Sequence, residues 1–241
     1  MSSAWVPRSL FLLTGAGVSA ESGLGTFRDK GGLWNQYRLE DVASVDGYRR
    51  NPALVLNFYN KRRANLDGAK ANAAHIALAR LEKHWREHGQ DFILCTQNID
   101  DLHEQAGSQN VVHMHGELKK ARCGDCGDIQ PYDGDLSLET GCAACGRIGG
   151  VRPHVVWFGE MPLEMERIYD ALAAADLFVS IGTSGAVYPA AGFVTEARRA
   201  GIATMEINLE PSDNAEAFDA AHYGPASEAV PNWADALIAK L

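Results

Sequence analysis

The chain has 241 residues, 46% of them hydrophobic, enough to bury a core in one large domain or in one domain with a small companion. Its formal net charge of −9 repels phosphates, so nucleic acid and anionic lipid are not expected as main partners. No apolar run approaches the roughly 18 residues a membrane span needs, and "MSSAWVPRS" is too short for a secretory signal, so the expected location is cytoplasmic.

In chain order, "LFLLT" at 10–14 reads as a buried strand. Gly15-Ala16-Gly17-Val18-Ser19-Ala20 follows it and fits G-x-G-x-x-G/A, a tight turn whose backbone amides approach a pyrophosphate. Glycine turns without a ligand share this spacing. The acidic residue expected about 20 positions on is not convincing, because Glu40 and Asp41 do not sit at a strand end. Residues 51–66 read as a helix, with Asn51 as N-cap, Pro52 in the first turn and Leu54, Val55 and Phe58 at helical spacing. A second helix covers about 72–88 and stops at Gly89.

"FILCT" at 92–96 is the next buried strand, with Cys95 as a small core residue. Gln97, Asn98 and Asp100 follow it. An Asx turn, with Asp100 or Asp101 capping a short helix, accounts for one acid; a polar pocket around a cofactor head accounts for the whole group. In "VVHMHGELKK" at 111–120, His113 and His115 share a face if the strand stays extended. A histidine here is either a satisfied core residue or a general base. His115, before Gly116 at the strand exit, is the better base, since neutral imidazole takes a proton near pH 7. His75 and His103 read as helix residues with no stated task.

"LFVSIGT" at 177–183 and "ATMEIN" at 203–208 are further strands, joined by a crossover helix within 184–201 that ends at Gly201. Asn208 and Glu210 are better placed than Glu40 or Asp41 to hold ribose hydroxyls. Strands alternating with helices predict an α/β fold, a Rossmann-like doubly wound parallel sheet. The polar strand ends, Thr14-Gly15, Thr96-Gln97-Asn98, Gly182-Thr183-Ser184 and Asn208, converge on one crevice. The expected organisation is a Rossmann-like part (about 1–30, 67–118 and 151–241), a helical insertion (about 31–66) and a zinc-binding module (about 119–150).

Cys123-x2-Cys126 and Cys142-x2-Cys145 have the spacing of two facing zinc knuckles, with Gly124, Gly127, Gly141 and Gly146 for the turns. Disulfides are the alternative, disfavoured in a reducing compartment. Four thiolates leave no open position, so the expected zinc is structural. Tyr59 and Arg62, at i and i+3 of the 52–66 helix, project from one face and suit a carboxylate. The alternative is a solvated basic face of Lys61, Arg62 and Arg63, with Tyr59 packed at its edge.

"GAGVSAESGLGTFRDKGGLW", "TQNIDDLH", "HGEL", the two Cys-x2-Cys pairs, "FGE" at 158–160, "GTS" at 182–184 and "INLE" at 207–210 stand in the order seen in sirtuins, the NAD-dependent protein-lysine deacylases. The chain resembles that family from Leu10 to about Pro231. The resemblance implies NAD as a co-substrate to be cleaved. Gly15, Ala16, Gly17, Ser19, Glu21, Phe27, Arg28 and Trp34 would line its site. Gln97, Asn98, Ile99 and Asp100 would surround the nicotinamide ribose, and Gly182, Thr183, Ser184, Asn208, Leu209, Glu210 and Ala226 the adenosine half. His115 would be the base, and Val156, Phe158, Gly159 and Glu160 would pair with the acylated-lysine peptide as a strand. The implied products are nicotinamide, acyl-ADP-ribose and free lysine.

Where many sirtuins have Ile-Pro-Asp-Phe-Arg, this chain has Leu24-Gly25-Thr26-Phe27-Arg28. That form, with "GLW" following, resembles the group that includes bacterial enzymes and prefers acidic acyl chains. Tyr59 and Arg62 match the Tyr-x-x-Arg signature of that group. The resemblance thus implies removal of succinyl, and by extension malonyl or glutaryl, as well as acetyl.

Overall fold

The computed structural model describes residues 5–25 and 37–241. Its strands are β1 (Ser9–Thr14), β2 (Asp91–Thr96), β3 (Val111–His113), β4 (Gly116–Cys123), β5 (Ile129–Pro131), β6 (Val151–Val155), β7 (Leu177–Ile181), β8 (Ala203–Asn208) and β9 (Ala220–Tyr223). The helices are α1 (Ala16–Ser19), α2 (Leu39–Val42), α3 (Val45–Arg50), α4 (Pro52–Leu66), α5 (Ala73–Glu87), α6 (Leu102–Gln105), α7 (Met165–Ala173), α8 (Phe193–Arg199) and α9 (Ala226–Ile238).

A six-stranded, all-parallel sheet runs in the order β3-β2-β1-β7-β8-β9. The near-continuous apolar strands follow from burial on both faces. Leu10 and Leu12 of β1, Phe92 and Leu94 of β2, and Leu177, Val179 and Ile181 of β7 pack against α5 and α9. Phe11, Leu13, Ile93, Cys95 and Phe178 face the other way, toward α7 and α8. The strand order is that of a doubly wound sheet, and it reverses between β1 and β7, where such folds open a crevice beyond the strand ends.

α4 and α5 start as their sequences dictate. The Asn51 side chain accepts from Leu54 N, with Pro52 in the first turn. Asn72 caps α5 in a reciprocal box, accepting from the backbone of its first turn while His75 Nδ1 accepts from Asn72 N. The chain between β3 and α7 builds a second, antiparallel sheet, β5-β4-β6, on both sides of the cysteine segment. Leu56 of α4 packs against this module, in one cluster with Ala121, Cys123, Leu136, Cys142 and Val151.

Several elements differ from the sequence reading. The strand at 177 ends at Ile181, because Gly182 turns with φ +62°. Within 184–201 only Phe193–Arg199 is α-helical, preceded by a short 3-10 turn at Ala190–Gly192. The strand through His113 does not stay extended: β3 ends at His113, Met114 and His115 turn, and β4 begins at Gly116 with φ +80°. Asp101 occupies the N-cap position of α6, but it is the Asp100 carboxylate that accepts from Leu102 N.

Candidate active site

The glycine turn after β1 is cut to fit the turn after β7. Gly15 N donates to Ile181 O at 3.0 Å, and Gly17 N to Gly182 O at 2.8 Å. A Cβ at Gly17 would lie 2.8 Å from Gly182 Cα, and one at Gly182 would lie 2.5 Å from Val18 N. The glycines therefore let two backbones touch at the sheet's reversal point, the place where doubly wound folds bind a pyrophosphate.

Beneath this crossing lies a buried polar network. Ser19, 2% exposed, donates from Oγ to Asp100 Oδ2 at 3.2 Å and accepts from Asn98 Nδ2 at 3.1 Å. Asn98 Nδ2 also donates to Gly15 O, so one amide ties the end of β2 to the turn after β1. Ser19 Oγ lies 3.4 Å from His75 Nε2. Thr14, Thr96 and His103 continue the network, with Thr14 Oγ1 2.8 Å from Thr96 Oγ1 and 3.0 Å from His103 Nε2. Burial raises the Asp100 pKa, partly offset by its bonds from Leu102 N and Ser19.

His115 sits half-buried at the edge of this network. Its Nδ1 lies 3.0 Å from Gln97 O. A carbonyl only accepts, so Nδ1 carries the proton and the lone pair is on Nε2, the tautomer a general base needs. Burial lowers its pKa, opposed by the Gln97 carbonyl. His113 differs: Nε2 meets Glu104 Oε1 at 2.7 Å and Nδ1 lies 3.4 Å from Asn98 O. Burial works against its charge, but the Glu104 hydrogen bond and charge prevail and raise its pKa. The two histidines of this segment thus differ in kind: His115 is held by a carbonyl and His113 by a carboxylate.

On the β7–β8 side, Asn208 Nδ2 donates to Thr183 O at 2.8 Å, and Thr183 Oγ1 lies 3.0 Å from Ser180 Oγ. Ser184 accepts from Asp213 N and Ala186 N, while Leu209 and Glu210 are exposed. Glu21 faces α9: its carboxylate accepts from Ser227 N and Ser227 Oγ, bonds that lower its pKa, beside Ala226 at the helix start. Phe27, Arg28 and Trp34 lie outside the described residues.

Tyr59 is 1% exposed, with its ring centre 6.3 Å from that of Trp157, and burial pushes its hydroxyl up to about 12. The Arg62 guanidinium lies 6.0 Å from the Tyr59 ring centre and 5.9 Å from that of Phe58. Burial works against its charge; Tyr59 and Asp100 support it. The pair is thus brought together near Asp100. The basic-face alternative does not hold, because Arg63 is 3% exposed and only Lys61 of the three is fully at the surface.

Val156 N donates to His115 O, linking the segment after β6 to the base. Phe158 pairs its backbone with Ala43 O and Val45 N, leaving its side chain 52% exposed, and Gly159 turns at φ +94°. Glu160 points inward. Its carboxylate accepts from Arg122 at 2.7 Å, from both Arg152 terminal nitrogens at 2.8 Å and from Trp157 N at 2.9 Å. It holds the 157–160 turn, and Arg152 also stacks 3.3 Å from the Trp157 ring centre.

The sulfurs of Cys123, Cys126, Cys142 and Cys145 all lie within 4.8 Å of one another. Two of the separations, Cys123–Cys145 at 3.8 Å and Cys126–Cys142 at 3.7 Å, match the edge of about 3.8 Å of a zinc–thiolate tetrahedron. The cluster fits a structural zinc.

A doubly wound sheet with a glycine crossing at its reversal point, a half-buried base and a four-thiolate module defines a nucleotide-using α/β protein with a structural zinc site. The Sir2 family model matches residues 15–189, and the chain belongs to that family, which uses NAD. Among its relatives, the NAD-dependent protein deacylase of Caulobacter vibrioides is 65% identical over 232 residues, covering 96% of this chain and 98% of that one. The enzyme of the same name from Salmonella typhimurium is 55% identical, over 95% of this chain and 83% of its own. A solved Sir2 homologue bound to NAD superposes with a TM-score of 0.86 at 38% identity, over 96% of this chain and 90% of that one.

The sequence reading placed Thr14 at the crevice but missed His75 and His103 as parts of the buried network, and Ser227 as the partner of Glu21. His75 had one signal: it stands three residues after the Asn72 cap, where a capping box places a reciprocal side chain.

Proposed function

We propose that this chain is an NAD-dependent protein-lysine deacylase that removes acetyl and acidic acyl groups, namely succinyl and by extension malonyl and glutaryl, from lysine in proteins or peptides. The observation that carries the reading is the Nδ1–H of His115 held by Gln97 O, which leaves Nε2 as a base at the mouth of the Ser19–Asn98–Asp100 network.

NAD supplies the ribose carbon that accepts the acyl oxygen as nicotinamide departs. Gly15, Ala16 and Gly17 receive its pyrophosphate, while Ser19, Gln97, Asn98, Ile99 and Asp100 hold the ribose and nicotinamide. Thr183, Ser184, Asn208, Leu209, Glu210 and Ala226 take the adenosine half. Nε2 of His115 withdraws a ribose hydroxyl proton, and burial of the site keeps water from competing. Glu21 orients α9 through Ser227. Val156, Phe158 and Gly159 hold the peptide, and Glu160 keeps their turn in place through Arg122 and Arg152.

Tyr59 and Arg62 would receive the acyl carboxylate. Charge-assisted hydrogen bonds contribute roughly 1.5–3 kcal/mol each, so Arg62→Met cuts kcat/KM for a succinyl-lysine peptide by at least about tenfold. The acetyl-lysine peptide changes far less. A panel of acetyl, succinyl and glutaryl peptides with NAD, reading acyl-ADP-ribose, tests both claims. Absence of acyl-ADP-ribose with every peptide defeats the deacylase reading, and equal loss of both activities in Arg62→Met defeats the acyl assignment.

A further inference from the structure

We propose that Asn60 and Arg63 are positioning residues for acyl selection: they clamp the helix carrying Tyr59 and Arg62 to the zinc module, so the module sets the preference for acidic acyl groups. The inference rests on the reading of Tyr59 and Arg62 as the carboxylate clasp.

α4 carries two interleaved pairs at i, i+3 spacing. Tyr59 and Arg62 form one. Asn60 and Arg63 form the other, turned about 100° around the helix axis. The Asn60 side chain pairs with a backbone as a strand residue would: Nδ2 donates to Leu136 O at 2.9 Å, and Leu136 N donates to Oδ1 at 3.0 Å. Arg63, 3% exposed, donates from Nε to Leu118 O at 3.0 Å and from Nη1 to Gly134 O at 3.1 Å and Asn60 Oδ1 at 3.1 Å. Its guanidinium also lies 5.8 Å from the centre of the Tyr132 ring.

The carbonyls so engaged belong to β4 and to the segment between Cys126 and Cys142. One turn back, Leu56 packs in the same cluster as Cys123 and Cys142. Leu118 has a second tie: its N–H donates to Ile99 O at 2.8 Å, in the loop that carries Asn98 and Asp100. Arg63 therefore joins the zinc module, the α4 helix and the NAD-side loop through one residue of β4. A buried arginine meeting backbone carbonyls fixes rotation about the helix axis more firmly than apolar contacts alone, and a small rotation moves Tyr59 and Arg62 together. An acetyl group lacks the carboxylate to sense that movement.

The test measures kcat/KM for acetyl- and succinyl-lysine peptides with Asn60→Ala, Arg63→Gln and Arg62→Met, alongside bound zinc and thermal melting. Networks of this kind shift coupling by amounts that correspond to about 2- to 30-fold. The succinyl-to-acetyl ratio is expected to fall about threefold in Asn60→Ala and about tenfold in Arg63→Gln, with zinc retained and deacetylation within about threefold of the parent. Should Arg63→Gln fail to fold, Asn60→Ala decides, since the half-buried Asn60 is the milder loss. Folded, zinc-loaded variants with an unchanged ratio, or with both activities falling in parallel, overturn the inference while leaving the clasp intact if Arg62→Met still lowers the ratio. An unchanged ratio in Arg62→Met overturns the clasp, and this inference with it.

Discussion

Nδ1 of His115 donates to the carbonyl oxygen of Gln97 at 3.0 Å, and this single bond decides which nitrogen of the ring can act as a base. Burial lowers its pKa from the ordinary value of 6.5, so the base is already neutral at physiological pH. The acid limb of kcat/KM is therefore expected below about pH 6.5, with a plateau above it. His115→Ala should lower the rate by about 10²–10⁴-fold, while NAD binding by calorimetry survives. If His113→Ala is inert and His115→Ala is active, the roles are reversed.

Cys142 is 4% exposed and packs with Leu56 and Leu136, so it serves both metal and core. The module has a small apolar core of its own, and a structural zinc supplies folding free energy outright. Cys142→Ser is expected to lose the metal and to aggregate or unfold. Metal analysis with circular dichroism checks this; full activity from a zinc-free protein would refute it.

Acid sensitivity is built into the floor of the site. Burial depresses His75 to about 4 and holds His103 well below 6.5. A histidine with a depressed folded pKa contributes its stability fully above the unfolded value and loses it as pH falls. Melting temperature should hold near pH 7 and drop between about pH 6.5 and 4, with His75 alone worth on the order of 3 kcal/mol across that window. His113 runs the other way: its contribution is complete at acid pH and is lost as pH rises through its raised folded pKa. Melting curves of His75→Gln should show a shallower acid slope; an unchanged slope would place the sensitivity elsewhere.

Gly17→Ala puts a Cβ 2.8 Å from the backbone of Gly182, where no flexible side chain can yield. Overpacking of this kind costs about 1–3 kcal/mol. The β1–β7 crossing must open, so NAD affinity should fall together with melting temperature. Calorimetric titration with NAD measures it, and wild-type affinity in a folded Gly17→Ala protein would show that the crossing is not the pyrophosphate cradle.

The sheet was legible because buried parallel strands write themselves as unbroken apolar runs, as in β1, β2, β7 and β8. The cysteine module was legible because thiolate spacing is fixed by the metal. β9 was missed: its four residues, Ala220–Tyr223, lie at an exposed sheet edge and carry no apolar run. α9 was missed because Pro231 stands inside it and reads as a helix breaker, although Val230, Trp233 and Leu237 keep a buried face. The place of His115 before Gly116 favoured it over His113 only mildly, since the physical difference comes from Glu104 and Gln97, brought in by α6 and the end of β2. Glu160 was assigned to the substrate because its position was visible and its arginine partners were not.

The bond between Glu21 and Ser227 spans almost the whole chain. It joins the first loop to the last helix, and α5 shares its apolar face with Val230, Trp233, Ala234 and Leu237 of that helix. During synthesis the N-terminal half of the crevice emerges long before residue 226. Until the ribosome releases the C-terminal segment, Glu21 lacks its partner and the Leu78, Leu81 and Trp85 side of α5 lacks its cover. A nascent chain of this protein thus leaves that apolar face uncovered until α9 has emerged. A stop between β8 and α9 would leave a polypeptide with both halves of the dinucleotide crevice but without the helix that covers α5.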